Sequence, residues 1–207
     1  TLLEGPRRTW PVRAWTTCML GSHLVLGPVL FSLTTMQMLV VQRVTDRLTA
    51  DIPQADATHA RRLVIVNPPD ATFIWAASLV RLAHNEALRA SLLGLAVGTR
   101  DVDLFRTDAF TLVVHQEGGF IVSERERLRR DPRRLMPIGT QVRLTGVTFE
   151  VLATTLDHGP SVVAARFAAP LEDRSLQWMR WDGAHLLPFV PPAIGARMRL
   201  PGHSLAL

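Results

Sequence analysis

Lysine and tyrosine are missing from this sequence, and asparagine occurs only at Asn67 and Asn85. All 23 basic residues are therefore arginine, a bias that points to a GC-rich bacterial genome rather than to a function. Cysteine is limited to Cys18, which excludes an internal disulfide and a thiolate metal cluster. The seven histidines are scattered, without the H-x-x-x-H or H-x-H spacing that brings ligands together. Zinc needs three or four converging ligands, so no metal and no cofactor is expected. Heptads and internal repeats are also lacking, which sets aside coiled coils and solenoids. The absence with most consequence is of charge: none falls between Arg13 and Arg43.

The 29 uncharged residues from Ala14 to Gln42 are long enough to cross a bilayer, since about 20 mostly apolar residues span a hydrocarbon core of about 30 Å. Ser22, His23, Thr34, Thr35 and Gln37 interrupt the run, and Gly27-Pro28 sits near its middle. Proline removes one helical hydrogen bond and kinks the axis, which membrane helices tolerate when another group satisfies the freed carbonyl. The alternative is a soluble protein in which this run is a buried helical hairpin turning at Gly27-Pro28. A cleaved signal peptide does not fit, because its apolar region covers about 7–15 residues and ends at a small-x-small site. Arg7, Arg8 and Arg13 precede the run and Arg43 and Arg47 follow it. Three against two tips the N-terminus toward the cytoplasm and the C-terminal domain toward the periplasm.

At 207 residues the chain holds one domain plus an anchor, or two small domains. A start at Thr1 rather than methionine is expected of a piece of something longer. The net charge of +5 is modest. Its densest stretch, Glu124 to Arg134, offsets six arginines with three acids and reads as a solvated helix or loop, with anionic lipid headgroups as the second reading. Nucleic acid is not an expected partner, because its binders concentrate charge on one surface with aromatics nearby.

Three regions follow: residues 1–42 as basic flank and transmembrane helix, 43–104 as a small α/β unit, and 105–207 as a β-rich domain. A helical extension from Arg43 ends at Pro53. Arg61 to Asn67 reads as a short strand covered on both faces, broken by Asn67-Pro68-Pro69-Asp70. Asp70 or Thr72 could cap a helix from Thr72 to about Ala90, with Ile74, Ala77, Leu79, Leu82 and Ala83 on its apolar face, and Leu92–Val97 forms the next strand. Further on, hairpins are expected around Glu117-Gly118-Gly119, Thr145-Gly146 and Asp182-Gly183, the last as a type I′ turn. Ser161–Ala168 is another strand. The fold class is α+β, ending in a mainly antiparallel sandwich or barrel.

Candidate chemistry is sparse. Asn67-Pro68-Pro69-Asp70 invites comparison with the N-P-P-aromatic turn of amino-methyltransferases. Asp70 stands where the aromatic belongs, however, and no G-x-G loop precedes it, so a strand-ending turn is the plainer reading. His115 with Glu117, or Asp157 with His158, could orient an imidazole for general-base work, yet neither comes with a nucleophile. Asp101 and Asp103 alternate along one strand face. His23 is an ionisable group in a membrane run and so a functional candidate by default; a neutral imidazole bonded to a backbone carbonyl is the alternative. Trp178, Trp181, Phe189 and Met179 are expected as packing anchors.

The order of His-Leu-Val-Leu-Gly-Pro (23–28), Val-Ile-Val-Asn-Pro-Pro-Asp (64–70), Arg106-Thr107-Asp108, Thr111-Leu112-Val113, Gly118-Gly119, Pro137-Ile138-Gly139-Thr140 and Trp181-Asp182-Gly183 resembles the C-terminal portion of a group of uncharacterised bacterial multi-pass membrane proteins. In these a last transmembrane helix leads into a compact, strand-rich domain. The resemblance implies a tail of a longer polytopic protein and transfers no catalytic residue. The expected function is a non-catalytic, membrane-anchored extracytoplasmic module that supports or connects a larger membrane protein. Its partners would be the bilayer and other transmembrane helices of the parent. The second expectation is an accessory domain of a membrane-embedded transferase acting on lipid-linked or envelope substrates, with Asn67, Asp70 and His115 as the first residues to test.

Overall fold

The computed structural model describes residues 10–52, 62–70, 72–83, 91–121 and 135–204, with the side chains of 10–13 and 33–44 left aside. The arginine run from Glu124 to Arg134, the linker after Pro53, the first two basic residues Arg7 and Arg8, and the stretch 84–90 of the expected helix all lie outside them. The chain divides into two compact units, the first holding the N-terminal helix to Val44 and the second covering Thr45–Ala206.

The first unit is helical. Helix α1 (Trp10–Gly21) passes through one π-helical turn, Ser22–Leu26, into α2 (Gly27–Ala50). Pro28 has no N–H to return to the carbonyl of Leu24, and the wider turn immediately before it absorbs that mismatch. Within it the Gly27 N–H bonds the Ser22 carbonyl. The reversal that a hairpin would need at Gly27-Pro28 is absent, and the helical backbone is continuous from Trp10 to Ala50. Ala14–Ser32 is long and apolar enough to cross a membrane, and none of it is buried.

The second unit is α+β, with ten strands among the described residues. It begins with the end of α2, where Thr45 and Leu48 are buried. Strand β1 (Arg62–Ile65) leads through α3 (Phe73–Ala83) to β2 (Ser91–Gly94). Then come β3 (Val102–Arg106), β4 (Thr111–Gln116), β5 (Gln141–Leu144), β6 (Val147–Thr154), β7 (Pro160–Phe167), β8 (Leu176–Trp181), β9 (Leu186–Pro188) and β10 (Arg197–Leu200). A four-stranded sheet runs β2-β1-β8-β9, parallel on both sides of β1 and antiparallel at β8–β9. A six-stranded sheet, antiparallel throughout, runs β10-β3-β4-β7-β6-β5. Its outer strands β10 and β5 do not pair with each other, so among the described residues no closed barrel forms.

One core serves both sheets. Val64 and Trp178 of the smaller sheet join Leu104, Leu112, Val114 and Phe167 of the larger, together with Leu171, Phe189 and Leu200. Trp178 is its aromatic centre: the ring of Phe167 meets it edge-on at 5.3 Å, Phe189 lies at 6.5 Å, and its indole N–H donates to the Leu171 carbonyl at 2.7 Å. Burying three such rings supplies large apolar area with directional contacts. After Arg62, the rest of β1 and the following Val66 form an apolar run that is buried throughout, as a strand with a neighbour on each side requires.

Three local expectations change. Glu117-Gly118-Gly119 does not join a hairpin: β4 pairs with β3 and β7, and Phe120 instead donates its N–H to the Pro160 carbonyl at 2.9 Å. The β8–β9 hairpin exists, but Trp181 pairs with Leu186, so its loop is the four residues 182–185 rather than a two-residue type I′ turn. The Asp182 carboxylate accepts the N–H groups of Ala184 and His185 at 2.9 and 2.8 Å, which stabilises the longer loop. On α3 the buried side is Phe73, Ala77 and Arg81, while Leu79, Leu82 and Ala83 face outward. A helix apolar almost all round does not reveal its inner face by periodicity. The Thr145-Gly146 hairpin forms as expected, with Leu144 opposite Val147 and Gly146 at φ 75°, a conformation that disfavours any residue with a Cβ.

Candidate functional site

In a sheet built around parallel strands, ligands are commonly held beyond the carboxyl ends. Here that place is the end of β1, where Asn67 and Asp70 lie. Beyond Ile65 the ladder toward β8 continues for one bond, from the Val66 N–H to the Met179 carbonyl at 2.9 Å. Pro68 and Pro69 then remove two backbone donors. Asn67 replaces them with its side chain: Nδ2 donates to the Trp181 carbonyl and Oδ1 accepts the Trp181 N–H, both at 2.9 Å. The residue is 1% exposed, and its amide acts as an extra rung between β1 and β8.

Gln116 repeats the device from the other sheet. Its Oε1 accepts the Val97 N–H at 3.1 Å and its Nε2 donates to the Val97 carbonyl at 2.7 Å. It thereby ties β4 to the segment that continues β2. Between the two amides lies Gly98, where an added Cβ would sit 2.4 Å from the Asn67 carbonyl oxygen and 2.6 Å from the ring of Trp181. Beside Asn67 the backbone is packed too closely to admit a side chain at Gly98.

Asp70 caps α3. Its Oδ1 accepts the N–H groups of Thr72 and Phe73 at 2.6 and 2.8 Å and the Thr72 hydroxyl at 2.6 Å. These are orphan donors of a first helical turn, and an acidic group there also suits the helix dipole. Beside it an apolar hollow of about 330 Å³ opens between Pro68, Ile74, Leu93 and Phe120.

His115 lies elsewhere, on the outer face of the larger sheet. Arg199, Asp103 and His115 occupy successive register positions on β10, β3 and β4. The His115 imidazole Nδ1 is 3.2 Å from Asp103, and both side chains are almost half exposed. Arg199 donates through Nε to Asp101 at 3.1 Å and reaches 4.0 Å from Asp103. That bond, together with the Gly202 N–H at 2.7 Å, holds the Asp101 carboxyl below the usual aspartate range. Arg197 lies over the ring of Phe105 at 5.2 Å. With Val113 and Met198 these groups surround an open concavity of about 600 Å³. A carboxylate–imidazole pair in such a place can exchange a proton with a solvent-borne group, and the arginines can hold an anion. Glu117 is not His115's partner; the carboxylate that sequence spacing missed is Asp103, twelve residues upstream and opposite in register. Asn67, Asp70 and His115 do not converge on one cavity.

His23 sits in the π-helical turn. Its Nδ1 donates to the Met19 carbonyl at 3.0 Å, and the Ser22 hydroxyl donates to the same carbonyl at 3.1 Å. Both polar groups turn back onto their own helix.

Two further clusters carried no local sequence signal. Arg106, buried on β3, donates to both oxygens of Glu172 and to the carbonyls of Asp108, Ala109 and Pro192. The Arg106 guanidinium holds the Glu172 carboxyl below its usual range. Asp51, just after α2, accepts the Leu186 N–H at 3.0 Å and lies 3.2 Å from the His185 ring. Both join residues more than sixty positions apart, beyond any spacing rule.

No family model matches this chain, and comparison with curated proteins and with solved structures gives no match.

Proposed function

We propose that this chain is a membrane-anchored, non-catalytic module facing the periplasm of a bacterial cell, serving as an interaction or structural tail of a larger polytopic membrane protein. The observation that carries this reading is Ala14–Ser32, a segment whose length and composition suit a bilayer and whose side chains are not covered by protein. The π-helical turn supports it, since Ser22 and His23 are satisfied inside the helix. On the folded side, Asn67 and Asp70 have their polar atoms engaged in a strand rung and a helix cap, which favours scaffold over catalyst. The two sheets on one core suit a sandwich-like unit, sturdy enough to stand outside the membrane. Extracytoplasmic placement follows from the arginine balance, three before the span and two after.

A second reading is favoured by the His115–Asp103 pair at the mouth of an open concavity beside Arg197 and Arg199. In it the unit completes the site of a membrane-embedded transferase whose substrate carries an anionic group. Reporter fusions at the C-terminus, with protease treatment of spheroplasts, test the first reading. An externally active reporter and external cleavage of Thr45–Ala206 are expected, and a reporter active only inside the cell contradicts the orientation. Loss of a parent activity on His115→Ala, with the fold intact, would move the choice to the second reading.

A further inference from the structure

Helix α3 has two unlike sides. Phe73, Ala77 and Arg81 are buried, while Trp75, Leu79 and Leu82 are 64%, 46% and 61% exposed. The exposed three are spaced i, i+4, i+7, which places them in one stripe. The helix has a single charged residue, Arg81, and it is buried, so the water side carries no charge at all. Its one hydroxyl, on Ser78, donates to the Ile74 carbonyl at 2.8 Å. Beyond the Trp75 indole N–H, a partner recognised through ion pairs or hydrogen bonds finds nothing to read on this stripe. An amphipathic boundary does: tryptophan favours headgroup depth, and leucine the acyl chains just beneath.

The occupant follows from what else the chain carries. Ala14–Ser32 suits a bilayer, and a unit tethered to a membrane meets that surface at high effective concentration without needing affinity of its own. Residues 45–206 carry 19 arginines against 17 acidic residues, so the unit itself is slightly basic and is not repelled by anionic lipid. We infer that α3 is an interfacial helix, with Trp75, Leu79 and Leu82 seated in the headgroup–acyl boundary of the bilayer that Ala14–Ser32 crosses. This rests on the membrane-anchored reading above. It gives that module a second attachment to the membrane.

The test uses the full chain with Cys18→Ser and a single new cysteine, at Leu79→Cys or, as the aqueous reference, at Leu156→Cys, where the native leucine is 99% exposed. Each is labelled with a polarity-sensitive fluorophore and reconstituted into vesicles containing phosphatidylglycerol. The label at 79 should emit to the blue of the label at 156, and iodide should quench it about threefold less, because a stripe seated at the boundary lies several ångströms below the aqueous phase. Equal quenching at the two sites, in a chain that floats with the vesicles, overturns the interfacial helix while leaving the anchor standing. A chain that does not float overturns the anchor itself. Protection at 79 that vanishes when protein is diluted into excess lipid shows a second copy covering the stripe, and also overturns the inference.

Discussion

The apolar residues of the N-terminal helix and those of the β-rich unit meet opposite environments. Leu24, Val25 and Phe31 are exposed by more than half, whereas Val64, Leu112 and Trp178 are almost fully covered by one another. Isolated exposed leucines are ordinary on a water-facing surface, whereas Ala14–Ser32 is a 19-residue apolar helix, none of it buried, long enough to cross a membrane. The polar groups tell the same story in reverse. In the helix Ser22 and His23 fold back on the nearest carbonyl, while in the β-rich unit Asn67, Gln116 and Arg106 reach across the fold to distant backbone. One region satisfies these polar groups within its own helix, and the other uses them to join strands. The difference teaches that hydrophobicity alone does not say what a residue packs against; the reach of the polar groups beside it does.

Truncation breaks this comparison most severely at Trp178. Trp178→Ala removes the centre of the aromatic cluster and strands the Leu171 carbonyl, so a loss of about 4 kcal/mol is expected, read by urea titration of the full chain in detergent micelles. Leu24→Ala should leave that titration unchanged, since Leu24 is 69% exposed. Asn67→Ala comes next. It leaves both the N–H and the carbonyl of Trp181 unpaired in a buried place, at a cost of about 3 kcal/mol, measurable in the same titration and as faster amide exchange at Trp181. A merely exposed turn would show no such change. Asp70→Ala, which removes the cap of α3, should cost about 1 kcal/mol, with the loss of protection confined to the first turn of α3.

Acid sharpens the contrast more gently. The carboxyls of Asp101, Glu172 and Asp182 are held below their usual range, chiefly by Arg199, by Arg106 and by the His185 N–H respectively. A carboxyl with a depressed folded pKa binds protons more readily unfolded, so its stabilisation is present at neutral pH and fades as pH falls below about 4. The β-rich unit should therefore lose stability in that window while the helix up to Val44, whose described residues include no acid, keeps its circular-dichroism signal in micelles.

Much of the fold is legible in the residues. The uncharged run is a helix, the Thr145-Gly146 pair turns a hairpin, and the apolar run at 63–66 is a buried strand. Each follows from a local rule. What is not legible is long-range. Nothing between residues 62 and 94 announces that β1 takes β8, more than a hundred positions later, as its second parallel neighbour. The inner face of α3 is hidden because its residues are nearly all apolar, and Arg81, which a pattern reader would turn to water, is buried. At the candidate site the residue types were readable but their roles were not. Asn67 and Asp70 stand where a strand ends, and only the positions of the Trp181 and Phe73 backbones reveal a rung and a cap. His115 was visible, whereas its carboxylate lies across a strand register that sequence spacing does not encode.

The central claim is that Ala14–Ser32 occupies a bilayer. Cell-free synthesis of the full chain in the presence of liposomes, followed by alkaline carbonate treatment and flotation, tests it directly. The chain should float with the lipid after carbonate. Leu24→Arg should reduce that fraction, since a charge at the middle of a span costs about 3 kcal/mol in insertion. A chain recovered at the bottom of the gradient as a detergent-independent monomer would contradict the account.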